Sequence, residues 1–377
     1  MRLWWMEIKK CFTWPIIGLL IVMNVLLYSL LVEFYLDNFP NGRPSSERFE
    51  IELDMVEKYG EVIDDGEIAE VQREYGKLVE KFEAILKDHP LSQAAGVETI
   101  EQYREDERDD EAFNKMRQAF WETDDFDLMW WIQAYEGVFE NYRYKDRIFH
   151  GEYYRSAQEK ERIEELLDNE SYQYYGSSVV ENFMTIAENV TIIILFNLMI
   201  LLSPLFLRDK ANQMVPLQYS SKHGRKIFAT KWWAGLALTL FVTTFLIAAY
   251  GLLYMGNGTS PFFFMQLYHM GYNNYWYDIT FGQYIIFVLI GMYLISGIFG
   301  MLVIACSSLS SNYLIQMATQ IVLIGLFIWL VILTALGMLF QTYHLPWVVP
   351  GIYVGLITLV LLLFYRLLRR ERVREIT

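Results

Sequence analysis

From Ile279 to Tyr365 the chain contains no Asp, Glu, Lys or Arg. A run that long has no solvated face, and it is too long for a single core helix. A lipid bilayer is the solvent that accepts it, and about 20 apolar residues cross one. Polar punctuation divides the run into three spans. Residues 283–305 end at the cluster 307–312, residues 313–340 end at the turn 341–346, and residues 347–365 run into an Arg-rich tail. Three more charge-free apolar runs lie upstream, at 14–32, 189–207 and 232–254. An all-α membrane protein with six transmembrane helices is the expected fold class.

Charge sets the expected orientation. The net charge is −14, but residues 37–187 hold 17 Lys+Arg against 38 Asp+Glu, a net −21, and the remainder is +7. So acidic a segment excludes nucleic-acid binding, which needs cationic faces. The basic groups sit in short flanks: Arg2, Lys9 and Lys10 before the first span, and Arg366, Arg369, Arg370, Arg372 and Arg374 after the last. The loop 208–231 carries Arg208, Lys210, Lys222, Arg225, Lys226 and Lys231 against Asp209 alone. Six spans put all these flanks on one side, and Lys/Arg-rich flanks face the cytoplasm. Both termini and the loop are then cytoplasmic, and residues 37–187 are outside. Cys11 and Cys306 make no disulfide framework.

Residues 1–13 carry Leu3, Trp4, Ile8 and Phe12 near one helical face, with Lys9 and Lys10 largely off it. An amphipathic interfacial elbow helix is expected there, breaking at Pro15. Residues 14–36 form the first span, a retained anchor rather than a cleaved signal. The acidic block 37–187 reads as a mostly helical extracytoplasmic domain, with helices expected at 46–59, 67–88, 98–122, 126–144 and 156–167. His89-Pro90 stops the second of these. Trp130 and Trp131, with Tyr135 and Phe139, read as core rather than as a ligand cage. Residues 188–377 supply spans two to six. The outer loop 261–284 is dense in Phe, Tyr and Trp, either an interfacial belt or the exit of a path for an amphiphile.

Catalytic signals are few. No Gly-rich phosphate loop and no Gly-x-Ser-x-Gly elbow is present, and the five histidines have no metal-ligand spacing. No metal is expected. The acids nearest a span, Glu33 and Glu188, fall at the outer boundary, so an ion relay through the bilayer lacks its usual groups. Asn24, Asn197, Gln316 and Gln320 are polar side chains inside spans. They either bond helix to helix or line a path, and Gln316 and Gln320, one turn apart, are the strongest candidates for a path.

The loop 208–231 carries a resemblance. Asp209 leaves the second span, a Ser/Thr-rich turn at Ser220-Ser221 and the pair Gly224-Arg225 follow, and Lys231 opens the third span. The pattern resembles the corresponding loop of ABC-2 type exporter permeases, the membrane subunits of bacterial ABC transporters. The elbow helix, six spans and cytoplasmic termini are similar too. The resemblance implies that Asp209, Ser220, Ser221, Gly224, Arg225 and Lys231 belong to a coupling loop that docks on a separate ATPase. This chain would hold no cofactor, and ATP and Mg would sit in the partner. Two ATP-binding subunits, and a second permease copy or a related permease, would complete the assembly in a bacterial cytoplasmic membrane.

The expected function is that of a non-enzymatic permease subunit moving an amphiphilic peptide, lipid or drug-like molecule. The charge-free second half and the aromatic loop suggest an amphiphile. The alternative is a sensor or scaffold whose outer domain binds a ligand and signals through a cytoplasmic partner.

Overall fold

A computed structural model describes residues 2–105, 110–146, 154–220, 224, 226–271 and 274–373. Among these residues there is no strand, only two isolated bridges between loops. The chain divides into two compact units. One comprises Met1–Asp37, Val180–Thr259 and Tyr275–Thr377; the other comprises Asn38–Val179 and Ser260–Asn274.

Helix α1 (Arg2–Cys11) is followed by α2 (Trp14–Leu31), which has Pro15 in its first turn, where no backbone donor is lost. A short α3 (Glu33–Asp37) closes the first segment of this unit.

The second unit contains α4 (Ser45–Tyr59), α5 (Asp65–Asp88), α6 (Pro90–Ala95), α7 (Ile100–Tyr103), α8 (Glu111–Trp121), α9 (Asp127–Arg143) and α10 (Ala157–Asp168). A capping box starts α5: Asp64 accepts from the Glu67 amide at 2.8 Å, and Glu67 accepts from the Asp64 amide at 2.9 Å. Pro90 ends α5 and opens α6, because proline tolerates only the first turn. The helix expected over 98–122 is two helices. Thr99 caps α7 and Asp110 caps α8, each restarting the backbone pattern within one acidic stretch. Phe82, Leu86, Phe113, Met116, Phe120 and Ile132 form the core of this unit. Trp130 is half-buried and packs against this core, as expected, and Trp131 is half-buried. Adjacent helical residues point about 100° apart, so the two face different surroundings.

The aromatic loop divides between the units. Phe262 is fully buried against Phe49 and Tyr175, with ring centroids 5.9 and 6.4 Å away. Tyr275 is buried beside Tyr284 in the other unit, while Phe264 and Tyr277 remain exposed.

The first unit continues with α11 (Ser178–Leu202), α12 (Pro204–Ala211), α13 (Val215–Ser220), α14 (Lys226–Tyr254), α15 (Phe281–Leu309), α16 (Tyr313–Leu326) and α17 (Val348–Val373). A π-helical turn, Phe327–Leu336, extends α16. Among the described residues, six helical stretches are long and apolar enough to cross a membrane: Trp14–Leu31, Ser178–Ala211, Lys226–Asn257, Phe281–Leu309, Tyr313–Leu336 and Val348–Val373. The second starts eleven residues before the apolar run at 189, because Val179, Val180, Phe183 and Met184 already bury a helical face. Glycine sets the close packing of α14 on α15: a Cβ on Gly300 would stand 2.5 Å from Thr239 Oγ1. In contrast, α2 buries none of its residues within the chain.

Candidate functional site at Asp209

Asp209, near the end of α12, is 4% exposed, and Lys231, in the second turn of α14, is 2% exposed. Burial of two opposite charges makes them partners, and Lys231 Nζ donates to Asp209 Oδ2. Gln218 of α13 donates to the same oxygen at 2.7 Å. Lys10 of α1 donates to Asp209 Oδ1 at 3.3 Å and to Glu7 at 2.9 Å. Two lysines therefore meet two carboxylates. The Arg208 guanidinium adds a 3.0 Å bond to the Lys10 carbonyl. One carboxylate thus joins α1, α12, α13 and α14.

The neighbouring Lys210 caps a different helix. Its ammonium donates to the carbonyls of Ser308 and Ser310, at 2.6 and 2.8 Å, just where α15 ends. Cations there complement the helix dipole and satisfy orphan carbonyls. Ser307 Oγ donates to the Ser203 carbonyl at 2.8 Å and accepts from the Phe206 amide at 3.1 Å. This bridges the break between α11 and α12, where Pro204 supplies no donor.

Beyond Asp209 the chain leaves the cluster as the short α13, none of whose residues is buried. Leu217 is 64% exposed, and Ser220 Oγ caps back to the Leu217 carbonyl at 3.0 Å. Tyr219 donates to Glu371 of α17. Gly224 has φ +40° and, with Tyr219, Gln218 and Lys231, lines a cavity of about 30 Å³, which is room for ordered water. Ser221 and Arg225, the other two loop residues singled out from the sequence, lie outside the described residues.

The four polar span residues divide into two places. Asn24 of α2 and Asn197 of α11 exchange side-chain bonds at 2.9 and 3.0 Å, a helix-to-helix pair. Gln316 and Gln320 are both fully buried in the chain. Gln320 accepts from Ser203 Oγ at 2.9 Å, whereas neither polar atom of Gln316 has a partner among the described residues. Glu188 lies within α11, and its carboxylate occupies the place a Cβ on Gly337, just past the π-helical turn, would take.

Sequence reasoning identified Asp209 and Lys231 but missed Lys10, Gln218, Glu7, Ser307 and Glu371. Gln218 carried a weak signal, being nine residues past Asp209 across a turn. Lys10 carried none, because 199 positions separate it from Asp209. Among the described residues of α1, Glu7 and Cys11 are buried within the chain, while Phe12, which follows it, is exposed. Glu7 goes inward because Lys10 meets it there. Burial pushes the Cys11 thiol up to about 12, with Glu7 adding to the effect, so this cysteine is not a nucleophile at neutral pH.

Among the described residues no three His, Cys, Asp or Glu side chains gather at metal-binding distance. The cluster ties the exposed α13 to α1, α12 and α14. The chain matches no protein-family model, no curated protein and no solved structure.

Proposed function

We propose that this protein is the permease subunit of an ATP-driven exporter of the ABC-2 type, with α13 as the helix that docks on a separate ATPase. The observation that carries this reading is the Asp209 cluster. An exposed helix with no buried residue stands on a base of paired charges, with Asp209 and Lys231 buried. A push on such a helix reaches α12 and α14 without being absorbed locally, because each is tied to the same carboxylate. In this reading Asp209 and Lys231 position the loop, and the Leu217–Ser220 surface meets the partner.

The remaining assignments follow from the same reading. The Asp209 end of the helices and both termini face the cytoplasm, in keeping with the Lys/Arg-rich flanks. Helix α1 is the interfacial elbow, and residues 37–187 are extracytoplasmic. Two copies, or one copy with a related permease, form a path between them in a bacterial cytoplasmic membrane. ATP and Mg act in the two partner ATPases. The cargo is amphiphilic, matching apolar spans that carry a few uncharged polar groups such as Gln316.

The test is co-purification in mild detergent with the candidate ATPase expressed alongside. The wild-type chain is expected to bring down an ATPase of domain size. Gly224→Pro, which forbids the left-handed φ at that turn, and Arg225→Glu are expected to lose it while inserting normally. An ATPase that stays bound and stimulated in both variants defeats the docking assignment. A chain that binds the ATPase, yet shows no substrate-dependent ATP turnover in sealed vesicles, is a sensor or scaffold instead.

A further inference from the structure

Residues 37–187 carry net charge −21, so a cavity there with two arginines and no carboxylate among its described lining residues runs against its surroundings. Such a cavity, of about 530 Å³, lies between the end of α7, α8 and the start of α9. Its volume is in the range of small-molecule sites. Arg104 and Arg117 line it, and Arg104 is held by Glu136 at 2.7 Å. That ion pair leaves Arg104 Nη2 cut off from solvent with no hydrogen-bond partner among the described residues. A buried guanidinium donor without an acceptor is costly, and a small turn of the Arg104 head would bring it to an anion in the cavity.

The other wall is aromatic. Trp121, Phe126 and Trp130 pack with ring centroids 4.8, 5.3 and 5.8 Å apart, mostly edge to face. Phe126 is buried, but Trp121 is 63% exposed, a large apolar surface left open beside the arginines. Gln133 adds an amide on the α9 side. Guanidinium groups recognise carboxylate and phosphate oxygens by paired N–H bonds, and the indole wall accepts a hydrocarbon chain or ring.

The geometry points to a binding site for an anionic amphiphile, a molecule with one carboxylate or phosphate-type head and an apolar body. The head meets Arg104 and Arg117, and the body lies along Trp121 and Trp130. The acidic field of residues 37–187 repels small anions, so the site discriminates against a free anion with no apolar body. The assignment rests on one folded unit and holds whether or not the chain couples to an ATPase.

The test is calorimetric titration of the full chain in nanodiscs of neutral lipid, with empty nanodiscs subtracted. The probes are decanoate, inorganic phosphate and decyl maltoside, the amphiphiles below their micelle concentrations. Decanoate is expected to bind saturably, and phosphate and the maltoside are not. Arg117→Gln and Trp121→Ala change exposed side chains and leave the core intact. Each is expected to weaken decanoate roughly tenfold or more, the scale of one charge-assisted bond or one lost aromatic face. Circular dichroism and melting checked against wild type show that both variants fold. Equal binding of the maltoside, no binding of decanoate, or decanoate binding unchanged in both folded variants overturns the assignment.

Discussion

At the scale of single residues, burial decides what each polar group does. Asp209 and Lys231 are legible as a motif in the sequence, yet their burial makes them a support rather than a surface. His269 shows the same logic in the other unit. It is buried, and Nδ1 lies 2.6 Å from the Tyr172 carbonyl. A carbonyl only accepts, so Nδ1 carries a proton. Burial lowers the His269 pKa below 6.5, against the raising effects of the Tyr172 carbonyl and Glu61. The unfolded chain therefore takes up this proton first as pH falls. The stability owed to neutral His269 is complete above about pH 6.5 and is lost below it, down to the lowered folded value. Thermal melting of the wild type and His269→Gln is expected to show a fall in midpoint from pH 7 to pH 5 that is smaller in the variant. Equal slopes would show that His269 does not drive the acid sensitivity.

At the scale of elements, caps and close approaches mark where helices stop and meet. Capping boxes at Asp64/Glu67 and Thr280/Gln283 start α5 and α15. Both can be read locally, since the partners are three residues apart. Close approach is not local. Nothing near Gly300 in the sequence announces Thr239, which would meet an added Cβ at three of its atoms between 2.5 and 3.3 Å. Thr239 is itself buried and stiff at χ1, so it has little room to yield. Gly300→Val is expected to destabilise the span unit by about 1–3 kcal/mol, the usual penalty of overpacking. Gly297→Val, one turn away with open space at its Cβ, serves as the comparison. If the two variants melt alike in detergent, the α14–α15 contact does not depend on glycine.

At the scale of the whole molecule, the chain is two polymers of different solvent preference. One carries 38 acids against 17 bases within residues 37–187, and the other carries the six apolar helices. Ion pairs such as Lys58–Glu70 and Lys77–Glu74 sit at the surface of the acidic unit and contribute little each. The surplus of carboxylates outnumbers them, so net self-repulsion is the larger effect. Raising NaCl shortens the screening length from about 10 Å at 0.1 M towards about 3 Å at 1 M. The melting midpoint of the acidic unit is expected to rise by a few degrees, while that of the span unit stays put. A fall in the acidic unit's midpoint would mean that its ion pairs outweigh the repulsion.

By itself the sequence determined the six apolar helices, most of the helices in the acidic block and the charge division between them. Each depends on composition or on spacing within one turn or one bilayer thickness, and such signals are local. It also singled out Asp209 and Lys231, because they bracket one short loop. Only the tertiary structure decided which partners they keep. Lys10 reaches Asp209 across 199 positions, Asn24 meets Asn197 across 173, and Arg104 meets Glu136 across 32. The same holds for the cavity that sets arginines beside Trp121 and Trp130 in an acidic unit. The physical reason is that a residue's pattern reveals whether its surroundings are water, protein or lipid. Which distant group shares those surroundings follows only from how the helices pack.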